Sequence, residues 1–212
     1  MTREPAYLTY SGTFDWLRRR YFYKILDRLE PALPDGAIIL DYGCGPGDFM
    51  LVARERQIAV EGADISARNV EMARARGLSV SRASAELLQS GKRYDAIICQ
   101  SVLEHVQDGP QLVCDLAGLL KPGGILVLST PTPGPFFWDD PTHIRPYTPK
   151  SIDVLAELAG LKCDYLSYVF AFLLNWEIRA SLIFPILNVI PTSLGSNLVA
   201  FLLKSPGLIR CP

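Results

Sequence analysis

Ile38-Ile39-Leu40-Asp41-Tyr42-Gly43-Cys44-Gly45-Pro46-Gly47 is the stretch on which the reading of this chain turns. Its apolar start, with Ala37, has the short β-branched character of a strand covered on both faces. The strand ends in an acidic residue and runs into a turn where Gly43, Gly45 and Gly47 allow backbone amides to come close to a ligand that a Cβ would keep away. Asp48 to Ala53 continues as a helix whose N-terminal dipole faces the same crevice. Together these features point to a cofactor of nucleotide-like shape.

The spacing argues against a dinucleotide. In the G-x-G-x-x-G fingerprint the third glycine lies three residues after the second, where it lets helix and strand approach. Here that position is Asp48. An acid at the mouth of the turn repels a pyrophosphate and tolerates a ligand carrying an ammonium and a sulfonium.

On these residues the chain resembles the class I S-adenosylmethionine-dependent methyltransferases, whose first motif has the form strand-D-x-G-C-G-x-G. The resemblance continues in order through Ala63-Asp64-Ile65-Ser66, Tyr94-Asp95-Ala96-Ile97-Ile98-Cys99, Val102-Leu103-Glu104-His105-Val106 and Leu120-Lys121-Pro122-Gly123-Gly124. It implies an α/β fold: a doubly wound, Rossmann-like, seven-stranded and mostly parallel sheet with an antiparallel last strand. It also implies S-adenosylmethionine as cofactor and methyl transfer to a small or lipid-linked acceptor. Two other readings stay open, a methyltransferase-like subunit that only binds a partner and a nicotinamide-dependent oxidoreductase. Asp48 disfavours the last.

Composition fits one such domain. The chain has 212 residues, of which 49% are hydrophobic and 20% charged, as in a globular protein with a sizeable core. A formal net charge of −1 and no basic run beyond Arg18-Arg19-Arg20 argue against nucleic acid as a partner. Cys44, Cys99, Cys114, Cys163 and Cys211 are scattered, odd in number and without C-x-x-C pairs, and four of them, in apolar stretches or the glycine turn, read as small core residues in a reducing compartment. Met1-Thr2-Arg3-Glu4-Pro5 lacks an apolar signal core, so a cytoplasmic location is expected.

Alternating elements follow the pattern of a parallel sheet covered by helices. Residues 1–34 form a helical cap, with an amphipathic helix from Phe14 to Leu29, and residues 35–212 form the catalytic domain. Strands are expected at 38–40, 59–63, 78–82, 96–99, 125–129, 164–170 and 197–203. Ser66 reads as an N-cap, and Thr148-Pro149 as the start of a later helix.

Asp64 ends the second strand about 20 residues past the glycine turn, where an acid can accept hydrogen bonds from ribose hydroxyls. An aspartate capping the helix near Ser66 is the alternative. The resemblance adds Asp41, Gly43, Cys44, Gly45 and Gly47 to the cofactor set and lays Ile65 against the adenine. It places Ser84 where relatives often have an acid facing the adenine amino group, which leaves more of that contact to the backbone of Ala85. Gln100 and Ser101, after the fourth strand, fall beside the switch point and the methionine end of the cofactor.

Two histidines are the catalytic candidates. His143, in the Pro-rich polar loop Asp139 to Tyr147, is the first choice for a base or for orienting the acceptor, with loop anchoring as the alternative. His105 follows Glu104 in a short turn and has a pKa range suited to proton transfer, with a local structural role as the favoured alternative. Neither histidine belongs to a ligand cluster recognisable in the sequence, so no metal is expected.

The C-terminal quarter departs from the family pattern. Ala180 to Leu203 has no charged residue, but Pro185, Asn188, Pro191 and Gly195 interrupt it, which disfavours a membrane span. An apolar insert at about 171–192 is expected between the last two strands. Three roles stay open for Phe172 to Leu187: a buried cap over the substrate pocket, a homodimer surface, or a helix lying on the inner face of a membrane.

Overall fold

The structure is a computed structural model that describes residues 15–83, 85–170, 176–179 and 196–204. Eight strands form one sheet: β1 (Ile38–Tyr42), β2 (Ala59–Asp64), β3 (Val80–Arg82), β4 (Tyr94–Gln100), β5 (Leu120–Pro131), β6 (Leu161–Phe170), β7 (Trp176–Arg179) and β8 (Ser196–Lys204). Their order is β3-β2-β1-β4-β5-β8-β6-β7. The first five pair in parallel, whereas β8 runs antiparallel between β5 and β6. The expected seven strands and antiparallel last strand are therefore present, with one addition. Short β7 hydrogen-bonds to the edge of β6, inside the segment read as an apolar insert. The rest of that insert, 171–175 and 180–192, lies outside the described residues.

Alternation along the strands sends successive side chains to opposite faces. Ile39, Ala96, Ile98 and Val127 join Phe22, Ile25, Leu26 and Leu29 of α1 (Asp15–Leu29) and Phe49, Val52 and Ala53 of α2 (Asp48–Glu55). Leu40, Ile97, Leu126 and Leu128 join Leu112, Val113 and Leu116 of α5 (Gly109–Leu119) and Ile152 and Leu155 of α6 (Pro149–Leu158). The continuous apolar run of β4 follows from this double burial. Helix α3 (Ala67–Ala75) starts at Ser66, whose side chain accepts from the Asn69 N–H, and α4 is the single turn Ala85–Leu88. Thr148 and Ser151 form a reciprocal capping box at α6.

Cys44, Cys99 and Cys163 are free thiols. Cys114 is disulfide-bonded, which departs from the expectation of reduced core cysteines.

Strand order reverses between β1 and β4, and Asp41, near the end of β1, is paired in register with Gly62 of β2 and Ile98 of β4. Ligands of open α/β sheets bind outside the carboxyl ends of the strands at such a point.

Candidate functional site

The three turn glycines all have left-handed backbone, with φ of 82° at Gly43, 54° at Gly45 and 88° at Gly47, but for different reasons. A Cβ at Gly43 would lie 2.2 Å from Val102 Cγ2, and one at Gly47 would lie 2.2 Å from Leu78 Cδ1. At Gly45 no atom lies within 4 Å of that position. Only Gly45 therefore turns its bare side toward open space. The amides are engaged within the protein: Gly43 and Cys44 donate to the Ala63 carbonyl at 2.7 and 3.1 Å, and Gly47 donates to the Cys44 carbonyl at 3.0 Å. What the turn offers a ligand is closeness of backbone, more than a row of spare donors. Cys44 sends its side chain inward against Met50, Val70 and Val80, where burial pushes its thiol pKa up.

Asp64 is buried and accepts three hydrogen bonds, from Gly45 N–H at 2.8 Å, Ser66 N–H at 2.8 Å and Asn69 Nδ2 at 3.2 Å. The capping role is thus present, and one carboxylate fastens the glycine turn to the start of α3. A carboxylate has about four lone-pair sites, so these bonds leave room for a further donor. Beside it Ile65 is 76% exposed, an apolar surface at the mouth of the turn. Asp48 is ion-paired with Arg18 at 2.5 Å and with Arg76 at 2.6 Å. Its negative charge is therefore balanced, and its bulk at the third-glycine position is the stronger objection to a dinucleotide. Ala85 is exposed at the start of α4, and Ser84 lies outside the described residues. Gln100 ends β4 half-buried; Ser101, exposed with φ 49°, donates its N–H to the Ser129 carbonyl at 2.8 Å.

Asp41 contrasts with Asp64. Its side chain is 3% exposed, and its Oδ2 meets no hydrogen-bond partner among the described residues. Burial, then the nearby charges of Asp64 and Asp48, push its pKa up to about 8. Glu104 Oε2, Ser129 Oγ and Thr130 Oγ1 are likewise buried and meet no partner at full hydrogen-bond geometry among the described residues, although the Thr130 side chain lies close enough to Glu104 to stabilise its carboxylate. All four follow or end the parallel strands β1, β4 and β5 on their carboxyl side, the ligand-binding end. Buried polar groups are normally satisfied, so such a concentration suits a site completed by a ligand.

The two histidines meet. Their ring centroids are 4.8 Å apart, and Phe137 packs against His143 at 4.5 Å. His143 Nδ1 lies 2.6 Å from the Phe137 carbonyl, and His105 Nδ1 lies 2.9 Å from Thr142 Oγ1 and 3.3 Å from the Thr142 carbonyl. Burial holds the His105 pKa below the ordinary imidazole range, while burial of Glu104 pushes its carboxyl up to about 7. Thr142 donates to Asp140 Oδ1 through its N–H at 2.9 Å and its hydroxyl at 2.6 Å. Burial alone would raise Asp140, but the Thr142 bonds and both histidines outweigh it and hold its carboxyl below the usual range.

Glu104, His105 and His143 each offer a ligand atom, all within 4.8 Å of one another. The sequence reading found no such cluster, because its members lie in separate segments. The loop is anchored through its backbone: His143 N–H donates to the Asp140 carbonyl at 3.1 Å, and Ile144 N–H donates to the Glu104 carbonyl at 2.7 Å. Thr142 and Asp140 were missed as functional candidates. Two acids followed by a hydroxyl and a histidine within one Pro-bounded loop were the available signal.

Residues 15–166 match the methyltransferase domain family. Among curated proteins, a ubiquinone biosynthesis O-methyltransferase of Xanthomonas axonopodis pv. citri is 39% identical over 114 residues, covering 49% of this chain and 45% of that protein. One of the same description from Rickettsia felis is 36% identical over 98 residues, covering 43% of this chain and 40% of that protein. The chain thus aligns with less than half the length of these relatives. A solved S-adenosylmethionine-dependent methyltransferase from Archaeoglobus fulgidus superposes with a TM-score of 0.65 at 20% identity, covering 89% of this chain and 97% of that one. Magnesium protoporphyrin IX methyltransferase from Synechocystis, with S-adenosylmethionine bound, gives 0.63 at 18% identity, covering 93% and 86%. These two likenesses bear on the fold.

Proposed function

This chain belongs to the methyltransferase domain family, and we propose that it methylates a hydroxyl of a small or lipid-linked acceptor with S-adenosylmethionine as donor. The observation that carries the reading is the buried Asp41 carboxyl with its unpartnered Oδ2, beside a turn whose Gly45 faces open space. A desolvated acid of this kind suits a cationic ligand and opposes a phosphate. When bound, S-adenosylmethionine supplies a methyl group already activated on sulfonium. Asp41 would meet the ammonium, Asp64 the ribose, Ile65 and Ala85 the adenine and Gln100 the methionine end. The protein's remaining task is to align the acceptor, exclude water and take up the proton of its hydroxyl.

An oxygen acceptor is supported by the two histidines, with His143 as base or orienting group, and by the O-methyltransferase names of the relatives. Their connection to ubiquinone biosynthesis favours an acceptor with an apolar tail, which would bring this chain to a membrane surface. No helix among the described residues is long and apolar enough to cross a membrane.

Calorimetric titration with S-adenosylmethionine, S-adenosylhomocysteine and NAD, followed by transfer of a labelled methyl group to catechols with and without a prenyl tail, tests the reading. Binding of the first two ligands and labelling of the tailed catechol are expected. Tight binding of NAD alone would overturn the cofactor assignment. Cofactor binding with no transfer to either catechol would favour the binding-subunit reading.

A further inference from the structure

The direction of three hydrogen bonds fixes more about the histidine pair than its distances do. Asp140, as a carboxylate, can only accept. The Thr142 hydroxyl has one hydrogen and gives it to Asp140 Oδ1 at 2.6 Å. Toward His105 Nδ1, 2.9 Å away, Thr142 Oγ1 therefore presents a lone pair, so that nitrogen must carry the proton. The Thr142 carbonyl, 3.3 Å from the same Nδ1, is an acceptor as well. His143 is set alike by the Phe137 carbonyl at 2.6 Å from its Nδ1. In neutral imidazole the lone pair then resides on Nε2. The two Nε2 atoms lie 3.9 Å from Glu104 Oε1 and 3.8 Å from Asp140 Oδ2, respectively.

We propose that Thr142, itself oriented by Asp140, is a positioning residue that locks His105 in the Nδ1–H tautomer, so that both imidazoles present their basic Nε2 to the acceptor. This rests on the acceptor-side reading above. In that reaction the acceptor oxygen forms its bond to the methyl carbon as the bond from sulfur to that carbon breaks, and the hydroxyl proton passes to one Nε2. A histidine with its proton on Nε2 could not take it. The sequence separation of 37 between His105 and Thr142 means that the tautomer is imposed by the fold and not by local sequence.

The test is ¹⁵N NMR of the imidazole nitrogens in the whole chain, without cofactor or acceptor, together with turnover. The native protein is expected to show His105 protonated on Nδ1. Thr142→Val keeps the shape but removes the acceptor hydroxyl and should give mixed tautomers, whereas Thr142→Ser should remain native-like. Asp140→Ala frees the Thr142 hydroxyl to donate toward His105 and should flip the ring to Nε2–H; it also serves as a second variant if Thr142→Val fails to fold. Turnover should fall about tenfold in Thr142→Val with the KM for donor unchanged, and return in Thr142→Ser. A native His105 protonated on Nε2, or tautomers unmoved in both Thr142→Val and Asp140→Ala, would overturn the proposal. Tautomers that move as expected in a chain that methylates no hydroxyl would sink the functional reading and leave the positioning intact.

Discussion

The glycine turn and the histidine loop are built by opposite means. The turn is fastened by residues close in sequence: Asp64 reaches Gly45 across a separation of 19 and Ser66 across 2. The loop has local bonds of its own, from Thr142 to Asp140 and between His143 and the Phe137 carbonyl, but its link to His105 spans 37 residues. One is a strand, turn and helix unit that carries its own bonding. The other exists only once β4 and β5 are side by side, because only then do the turn after β4 and the loop after β5 share one edge of the sheet. Motif reading therefore finds the first completely and the second as unconnected pieces.

The sharpest way to break this contrast is inside the turn. Gly43→Val should cost about 3 to 5 kcal/mol of stability, since left-handed strain adds to a collision with Val102. Gly45→Val meets no protein atom and should cost only about 1 to 2 kcal/mol from its backbone, while abolishing S-adenosylmethionine binding. Urea unfolding and calorimetry on both variants read the difference. Equal destabilisation would mean that Gly45 is structural like its neighbour.

On the loop side, His143→Ala should leave donor affinity nearly intact and lower turnover by roughly 10²-fold. A loss of donor binding in the same variant would show that the two regions are not independent. Asp64→Ala sits between stability and binding, because its carboxylate ties turn to helix. It should weaken donor binding by about 1 to 3 kcal/mol and lower stability by a similar amount. Lowered stability with unchanged affinity would reduce Asp64 to a cap.

A pH slope probes the turn without altering its backbone. Asp41 has its folded pKa raised from 3.8 to about 8. Its contribution to stability is therefore fully present below about pH 4 and is lost as the pH rises toward 8, by up to about 1.4 kcal/mol per pH unit for one proton. Asp41→Asn should flatten that fall in denaturant unfolding between pH 5 and 8. Donor affinity should rise with pH over the same interval in the native chain and stay low and level in the variant. A native chain whose stability does not fall in this window would place Asp41 in a wetter site than the structure gives it.

Much of the fold was legible because the central parallel strands are buried on both faces and announce themselves as apolar runs, as Ala96 to Cys99 does in β4. The caps at Ser66 and Thr148 were equally plain, since a cap is a local bond. Short β7 was not anticipated. Among the described residues its four residues pair only with β6, and nothing in Trp176–Arg179 itself marks an edge strand.

The sequence by itself determined the order of elements, the glycine turn, the acid at the end of β2 and the family, all properties of contiguous segments whose bonding is internal. Tertiary structure alone decided that the Asp41 Oδ2 is buried without a partner among the described residues and that Glu104, His105 and His143 converge. It also directed the Thr142 hydroxyl toward Asp140, which sets the His105 tautomer. The reason is physical: burial and the direction of a hydrogen bond depend on what the rest of the chain brings alongside a residue, and neither is encoded in the residue or its sequence neighbours.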